Sequence, residues 1–392
     1  MKEKKASPLA AITFGNMCML GFLHSMRGVS FPLIKNNFNA SYNDMGILNA
    51  LVSFFAVCFC IIAGSYMSRF GIKKTIITAF FLVIAGAISI YFTVSFWMAA
   101  GFYLVLQSGF SFFEISINGT GVRIFTKKSG LMLNLLHFFY GMGAIIGPWF
   151  MSLVITRIGL SWQGTYPLVL LPIAVLLIIT LIIRYPDNPE VREKKEKLLF
   201  WTALKDPMVW FFGIILGIAG SIEGCTVAWG GLFLQDVYGY DVSTAGAAFV
   251  STFYVLYTVS RLLSGFIIER IGLIKSIFLS SLLITILFLT AFILGRTGII
   301  LLPVVGFFLA IMWPTVLAIS VGVFKEKAQT ISSALICIAF TLGGIIQYGF
   351  GLSNRFLGAA WGYRSCVLYS LILIFLLFML GKLNKKKAWK IQ

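Results

Sequence analysis

Apolar residues run through this sequence in long stretches that are separated by short polar breaks. An α-helix needs about 20 apolar residues to cross the hydrocarbon core of a membrane. Twelve stretches are long enough, so the pattern predicts an all-α integral membrane protein with twelve transmembrane helices. The predicted spans cover residues 8–34, 44–67, 74–93, 95–122, 129–156, 163–184, 206–235, 243–268, 273–294, 298–323, 328–352 and 358–381.

The break at 185–205 is longer and more highly charged than the others, and it lies near the middle of the 392 residues. It contains Pro186 and Pro189, and proline and charge both disfavour a continuing membrane helix. We interpret it as a cytoplasmic linker between an N-terminal six-helix half, 1–184, and a C-terminal six-helix half, 206–392. The first apolar run exceeds the 7–15 residues of a signal-peptide core, which predicts an uncleaved first helix.

The composition strengthens this reading, because 59% of the residues are hydrophobic and only 11% are charged. Soluble domains have roughly 45–50% apolar and 25% charged residues, so a soluble enzyme and a DNA-binding domain are excluded. The net charge is +18, yet 24 of the 31 Lys and Arg fall on the side of the N-terminus and 5 on the other. This asymmetry predicts a multi-pass protein of the cell membrane with both termini cytoplasmic. The positive charge then orients the chain and meets anionic lipid, and no nucleic-acid partner is expected.

A loop motif occurs twice, after the second and the eighth predicted spans. Residues 64–74 read GSYMSRFGIKK and residues 265–275 read GFIIERIGLIK, an offset of 201. Gly143 and Gly344 are separated by the same offset. A repeat at a fixed offset indicates two pseudo-symmetric halves.

The loop motif has a physical rationale. Gly64 and Gly71 permit a close helix approach and a tight turn. Arg69 and Lys74 are expected to bond the carbonyl ends of neighbouring helices and so to hold one closed state of the halves. We predict gating or structural roles for these positions and their second-half counterparts: Gly64, Arg69, Gly71, Glu269, Arg270 and Gly272.

The two halves, the repeated loop and the charged central linker together resemble the major facilitator superfamily. That resemblance implies the fold of this superfamily and alternating access to a site near the membrane midplane. Ser68 stands where the loop of the family usually has Asp, with Glu269 at the equivalent second-half position. The charge pair of the first-half loop is therefore absent.

Finer motifs resemble the fucose–galactose–glucose:proton symporter branch. They are Glu114 with Asn118 in span 4, the run 133–148 in span 5, and Trp313-Pro314-Thr315 in span 10. This resemblance implies proton-coupled symport of a monosaccharide or a related small polar solute. Fucose-type members carry an acid in span 1 four residues before a proline, where this chain has Gly28. The coupling mechanism therefore cannot be carried over whole, and sodium is an alternative coupling ion.

Glu114 and Glu223 are the acidic residues that lie well inside predicted spans, which makes them candidates for function. Glu114 shares a helix face with Asn118, Ser111 and Gln107. We predict that Glu114 is a proton-accepting carboxylate on the substrate path. The alternative is a static salt bridge or a protonated acid bonded to Asn118. Glu223 is predicted to contact substrate or to take part in coupling, and the alternative is a structural pair with Arg261.

Arg27 and His24 share a face of span 1. Arg27 either pairs with Glu114, or binds an anionic or hydroxyl-rich substrate, or extends toward the membrane surface. His137 is either a titrating group or a packing residue. Trp229 and Gln347 complete a candidate sugar site. The predicted substrate-binding residues are His24, Arg27, Gln107, Asn118, Asn134, His137, Trp229 and Gln347, and Arg261 and Pro314 join the gating or structural set.

Three other functions are alternatives to sugar symport. A drug or metabolite:proton antiporter of the same fold is the main alternative, and the many Phe residues suit its more apolar cavity. A membrane enzyme would need clustered metal ligands or a phosphate-binding loop, whereas this sequence has two His, both in spans. A channel does not suit the two-half repeat. We therefore expect a monomeric transporter, not an enzyme, with a small-molecule substrate and with no metal or cofactor.

Overall fold

The computed structural model describes residues 6–125, 129–186, 202–324 and 328–387. Most of the predicted linker, at 187–201, lies outside these ranges, as do Lys2, Lys4 and Lys5 at the start of the chain and Lys390 near its end. Within the described ranges, twelve helices are long and apolar enough to cross a membrane, which confirms the predicted fold class. They are α1 (Pro8–Asn37), α2 (Tyr42–Phe70), α3 (Ile72–Tyr91), α4 (Phe96–Ile124), α5 (Met132–Ile158), α6 (Thr165–Ile182), α7 (Pro207–Tyr238), α8 (Val242–Ile271), α9 (Leu273–Leu301), α10 (Val305–Phe324), α11 (Ile331–Arg364) and α12 (Cys366–Lys386).

Short polar side chains and glycines define the helix ends. Ser41 and Asp44 form a capping box that begins α2, and the Asp206 carboxylate accepts a bond from the backbone at the start of α7. Gly71 and Gly272 end α2 and α8 with φ values of 90° and 85°. Only glycine adopts this conformation without strain, which confirms the predicted tight turn in both copies of the loop.

Two predicted boundaries are wrong. A 3-10 segment, Gly295–Leu301, extends α9 past the expected break, so α10 begins seven residues later than predicted. The helix α11 continues to Arg364 across a break at Gly358, where φ is 78°, and α12 begins at Cys366 instead of 358. The first error arises because the residues at the true break, 302–304, are apolar, and the second because the polar run 353–355 lies within α11 and does not end it. Backbone conformation, and not polarity, ends these helices.

Close helix packing within the N-terminal half depends on glycine. The helices α1 and α5 are in extensive contact. A Cβ atom at Gly21 would overlap the backbone of Tyr140, and one at Gly143 would overlap the backbone of Cys18. Small residues at such crossings let two backbones approach, which is the main packing device of membrane helices. This contact fixes α5, which carries several candidate site residues, against α1.

The two halves contact each other through α1 with α7, α2 with α11, and α5 with α8. We call the bundle end that carries the loops at 64–74 and 265–275 the basic face, and the opposite end the far face. A Cβ at Gly351 would lie 2.6 Å from the α-carbon of Gly46, near the far end of α2. The Ser251 hydroxyl donates to the Ile145 carbonyl at 2.9 Å, which joins the middles of α8 and α5. The halves are therefore held together from the far face to the middle of the bundle.

The loop glycines nearer the basic face, Gly64 and Gly265, do not lie at a close contact between helices. No described atom lies within 4 Å of the position that a Cβ would take at Gly64 or at Gly265. The close helix approach predicted at Gly64 is therefore not made in this conformation. The two halves leave both loop glycines in open space at this end of the bundle.

Candidate functional site

A network on the C-terminal half links Glu223 to Arg261 through a tyrosine. The Tyr257 hydroxyl donates to Oε2 of Glu223 at 3.1 Å, and Nη2 of Arg261 donates to the same hydroxyl at 2.9 Å. The Arg261 guanidinium also lies 4.8 Å from the centre of the Tyr257 ring. The alternative of a direct Glu223–Arg261 ion pair is wrong for this conformation, because Tyr257 stands between the two groups. Sequence reasoning missed Tyr257, although it lies one helical turn before Arg261.

Glu114 is half-buried at the middle of α4. Its carboxylate makes no hydrogen bond or ion pair within the described ranges. Asn118 donates to the backbone carbonyl of Glu114 at 2.9 Å and not to its carboxylate. A protonated acid bonded to Asn118 is therefore not what this conformation contains. Cys60 on α2 and Tyr140 on α5 lie within electrostatic range of the Glu114 carboxyl.

The remainder of the predicted polar stripe on α4 is packed against α2. Nε2 of Gln107 donates to Ser111 at 3.4 Å, and the Ser111 hydroxyl donates to the Ala56 carbonyl of α2 at 3.3 Å. Gln107 is 7% exposed and Ser111 is 1% exposed. The prediction that Gln107 lines the substrate path does not hold in this conformation, because the stripe joins two helices.

His24 and Tyr140 connect α1 with α5. Nδ1 of His24 lies 3.1 Å from the Tyr140 hydroxyl, and the imidazole meets the Phe110 ring edge-on at 4.5 Å between centroids. Nε2 of His24 is buried and has no partner in the part of the chain that the structure describes. Tyr140 was not among the predicted site residues, although it lies within the run 133–148 that carries the resemblance.

Arg27 lies on the same face of α1 as His24. It precedes the end of α1 by ten residues, or about 15 Å of helix. Its guanidinium carbon lies 5.7 Å from the centre of the Phe31 ring. The ion pair found among the described residues joins Lys35 to Asp236 at 3.7 Å, so Arg27 is not paired with Glu114 here.

Trp229 and Gln347 meet each other directly. Nε1 of Trp229 donates to Oε1 of Gln347 at 2.7 Å, and the two side chains are 1% and 6% exposed. The indole also packs against Phe350 and Tyr42. Trp229 and Gln347, which were predicted to share one site, are in contact. Their polar groups bond to each other between α7 and α11.

The other predicted site residues are more dispersed. His137 is half-buried on α5 within electrostatic range of Arg261, whereas Asn134, one turn earlier, is exposed. Pro314 is exposed on α10, and the neighbouring Trp313 packs against Phe340 with 6.0 Å between ring centroids. His24 is therefore within electrostatic range of Arg27, and His137 within range of Arg261, whereas Pro314 is exposed on α10.

The loop at 64–74 works differently from the prediction. Arg69 is exposed and lies over the Phe70 ring at 5.1 Å. Lys73, and not Arg69 or Lys74, reaches the end of another helix, since its Nζ donates to the carbonyls of Leu181 at 2.7 Å and Ile183 at 3.0 Å. An ammonium group at a helix C-terminus compensates the partial negative charge there. Glu269 and Arg270 in the second copy are exposed.

A polar cluster at the far face bridges the two halves. The Tyr42 hydroxyl donates to Asp236, Lys35 pairs with the same carboxylate, and Nδ2 of Asn36 donates to Gln235 at 3.0 Å. The Lys35 ammonium lies 4.7 Å from the centre of the Tyr42 ring. We call these five residues the far-face latch. Sequence reasoning placed Lys35 and Asp236 outside the membrane but gave no sign that they meet.

Two six-helix halves, with charged and polar side chains gathered where their central helices meet, define a membrane transporter. The chain belongs to the Major Facilitator Superfamily, whose family model matches residues 13–346. The predicted family is thereby confirmed, and the protein is a transporter of small-molecule substrates. No curated protein matches the sequence.

Solved structures share the fold across nearly the whole chain. The E. coli fucose:proton symporter FucP has a TM-score of 0.67 at 16% identity, over 95% of this chain and 99% of its own. The nucleoside transporter NupG has a TM-score of 0.74 at 16% identity, over 95% and 99%. A bacterial homologue of the human lysosomal transporter Spinster, inward-facing and unoccupied, has 0.74 at 14%, over 97% of each chain.

Proposed function

We propose that this protein is a secondary active transporter of the cell membrane that imports a monosaccharide or a related small polar solute together with protons. It works as a monomer by alternating access, with both termini in the cytoplasm. Similarity to a fucose:proton symporter and to a nucleoside transporter supports a polar solute. The motifs at Glu114, 133–148 and 313–315 point in the same direction.

The positive-inside rule makes the basic face the cytoplasmic one. The latch at the far face then closes the outer side, and the open surroundings of Gly64 and Gly265 belong to the inner side. This arrangement corresponds to an inward-facing conformation. The inward-facing structure of the Spinster homologue, with a TM-score of 0.74, is in keeping with it.

The observation that carries the proposal is one membrane carboxyl group on each half, held in two different ways. Glu223 is tied to Arg261 through Tyr257. Glu114 makes no such bond within the described ranges. An unpaired carboxylate at this depth costs several kcal/mol unless it is protonated or wetted. Glu114 is therefore the group best suited to take up a proton with the solute, and protonation of Glu223 would weaken its link to Arg261 through Tyr257.

The solute contacts that we propose lie around these two carboxyls. Sugar hydroxyls need side chains that both donate and accept, which Asn118, Asn134 and the two His residues supply. Trp229 and Gln347 would join the site when the contact between α7 and α11 rearranges. Gln107 is buried and bonds to Ser111 on the same helix, so it is not proposed to contact the solute.

Solute-induced proton movement tests this function. De-energised cells in a lightly buffered medium are given neutral sugars and then sugar acids, and external pH is recorded for the wild type, Glu114→Gln and Glu223→Gln. Alkalinisation that Glu114→Gln abolishes is the expected result. Glu196→Gln removes a carboxylate of the predicted linker, outside both spans, and is expected to behave as wild type.

Other outcomes decide between the alternatives. Uptake that depends on sodium and leaves pH unchanged would replace the proton by sodium. Proton entry driven by outward movement of an apolar compound would instead establish the antiporter. Proton symport that survives Glu114→Gln would remove Glu114 from the coupling step.

A further inference from the structure

Arg27 is a cation within the membrane that its own protein does not neutralise. Its guanidinium makes no hydrogen bond among the described residues, and neither Glu114 nor Glu223 lies within 4.0 Å of it. Arginine keeps its charge under all physiological conditions. Arg261, the other arginine within a span, is engaged by Tyr257 and through it by Glu223. Arg27 therefore has no direct ion-pair partner within the described ranges, and its charge is left uncompensated when Glu114, the other unpaired charged group here, takes up its proton.

The groups within electrostatic range of Arg27 are an imidazole and several phenols, and one of them, Tyr140, is also within range of the Glu114 carboxyl. His24 on α1, Tyr140 on α5, and Tyr254 on α8 lie within electrostatic range of Arg27. Tyr103 on α4 is also in range, but its hydroxyl is already bonded to Ser30 at 2.5 Å. These imidazole and phenol groups supply hydrogen bonds and aromatic faces but no negative charge.

A second polar group, the His24 imidazole, lies within electrostatic range of the guanidinium, and its Nε2 is a donor in the tautomer whose Nδ1 accepts from Tyr140. Nε2 of His24 is buried and has no partner within the described chain, while Nδ1 is held by Tyr140. His24 and Arg27 are three residues apart on α1 and so share a face. A buried polar atom without a partner is costly, and a bound solute can satisfy it.

We propose that Arg27 binds the carboxylate of the transported solute, and that this solute is a sugar acid carrying one negative charge. The inference rests on the proposed function and narrows its substrate from sugars in general to sugar monocarboxylates. A guanidinium and a carboxylate match in geometry and in charge, and His24 adds a donor to the same group. A single uncompensated cation suits one negative charge, whereas a phosphate dianion would exceed it.

This assignment changes the electrical character of transport. A neutral sugar that moves with one proton carries one positive charge across the membrane. A sugar monocarboxylate that moves with one proton carries none. Uptake of the sugar acid is therefore expected to follow the pH gradient and to be insensitive to membrane potential.

Pairs of solutes that differ only in the carboxylate isolate the contribution of that group to binding. Purified transporter is titrated with glucuronate against glucose, and with galacturonate against galactose, and binding is followed by thermal stabilisation. Uptake is measured in proteoliposomes with a valinomycin-imposed potential and, separately, with a pH gradient. The variants are Arg27→Gln, Arg27→Lys and the control Arg157→Gln, which removes an exposed arginine at the end of α5.

The expected result is stabilisation by a sugar acid and not by its neutral partner, with at least tenfold weaker binding in Arg27→Gln. Arg27→Lys is expected to retain part of the binding, which shows that a loss in Arg27→Gln is not misfolding, and Arg157→Gln to bind as wild type. Proton symport of neutral sugars with no response to the acids would overturn this inference and leave the proposed function standing. Binding of sugar acids through Arg27 without proton movement would keep the inference and overturn the proposed function. Silence toward every solute in both assays would overturn both.

Discussion

Tyr257 separates a carboxyl from a guanidinium that would otherwise form a direct pair. Its hydroxyl donates to Glu223 and accepts from Arg261, so each charge has a partner while neither is fully neutralised. A direct buried ion pair is hard to separate, because breaking it leaves an uncompensated charge. With a neutral hydroxyl between the two charges, the halves can move by breaking one hydrogen bond without separating a direct ion pair.

Removing this hydroxyl is therefore expected to impair transport. A hydrogen bond to a charged group contributes about 1.5–3 kcal/mol, so Tyr257→Phe is expected to slow uptake about tenfold or more. Tyr348→Phe, at a partly exposed tyrosine of α11 whose hydroxyl makes no bond within the described ranges, is the matched control. Initial uptake rates at equal amounts of purified protein measure the effect.

A double-mutant cycle with Glu223→Gln identifies the cause. If Tyr257 acts through Glu223, the second substitution adds little to the first. Fully additive losses would show that Tyr257 does not act through Glu223.

Single residues also show where sequence reasoning reached its limit. Glu114, Glu223 and Arg27 were identifiable because charge within an apolar span is rare and costly. Gln107 shares a helix face with Glu114, yet it is buried and bonds to Ser111, which in turn bonds to α2, because helical periodicity gives the face and not the neighbour. The spacing of Tyr257 from Arg261 was visible in the sequence, but an aromatic residue in a membrane helix has too many ordinary roles to single it out.

At the scale of helices, the far-face latch joins the end of α1 and the start of α2 to the end of α7. Lys35, Tyr42 and Asp236 form its centre. Each contact is at or near the membrane surface, where an ion pair contributes only about 0.2–1 kcal/mol. Weak bonds of this kind suit a gate, because they favour the closed state without preventing its opening.

Weakening the latch is expected to shift the conformational equilibrium away from the inward-facing state. Asp236→Asn combined with Tyr42→Phe removes the charge and the hydroxyl from the same contact. Together they are expected to shift the equilibrium by about 1 kcal/mol, or roughly fivefold. The readout is alkylation of Gly265→Cys from the cytoplasmic side in a background without the native cysteines, since the space around Gly265 is open here.

The control removes a far-face bond that lies within one half. Nε of Arg296 donates to the Tyr240 hydroxyl at 3.3 Å, and both residues belong to the C-terminal half. Tyr240→Phe is therefore expected to leave the alkylation rate unchanged. Equal alkylation of Gly265→Cys with and without the latch would show that the latch does not hold the far face closed.

At the scale of the whole molecule, the two-half plan follows from the repeat at offset 201, because the two copies of the motif fold into the same turn at Gly71 and Gly272. The contacts between the halves do not follow from it. Gly46 meets Gly351 across the interface, and no pattern within either half pairs these two glycines. Contacts between distant segments depend on how the two halves are oriented, and the proposed alternating access would change this orientation.

The Gly46–Gly351 contact is where closure of the far face can be blocked. A Cβ at Gly351 would lie 2.6 Å from the Gly46 α-carbon and 2.8 Å from the Tyr42 carbonyl, both on the opposite half. Gly351→Leu is therefore expected to wedge α2 away from α11 and to trap the outward-facing state. Uptake should fall at least tenfold, while solute still binds from outside.

Gly349→Leu supplies the control on the same helix, because no described atom lies within 4 Å of a Cβ at Gly349. It adds the same bulk two residues away without entering the interface, and uptake should stay near the wild-type rate. Solute binding to sealed, right-side-out vesicles separates a trapped transporter from a misfolded one. If Gly351→Leu transports as well as Gly349→Leu does, closure of the far face does not need this glycine contact, and the halves must meet in another arrangement.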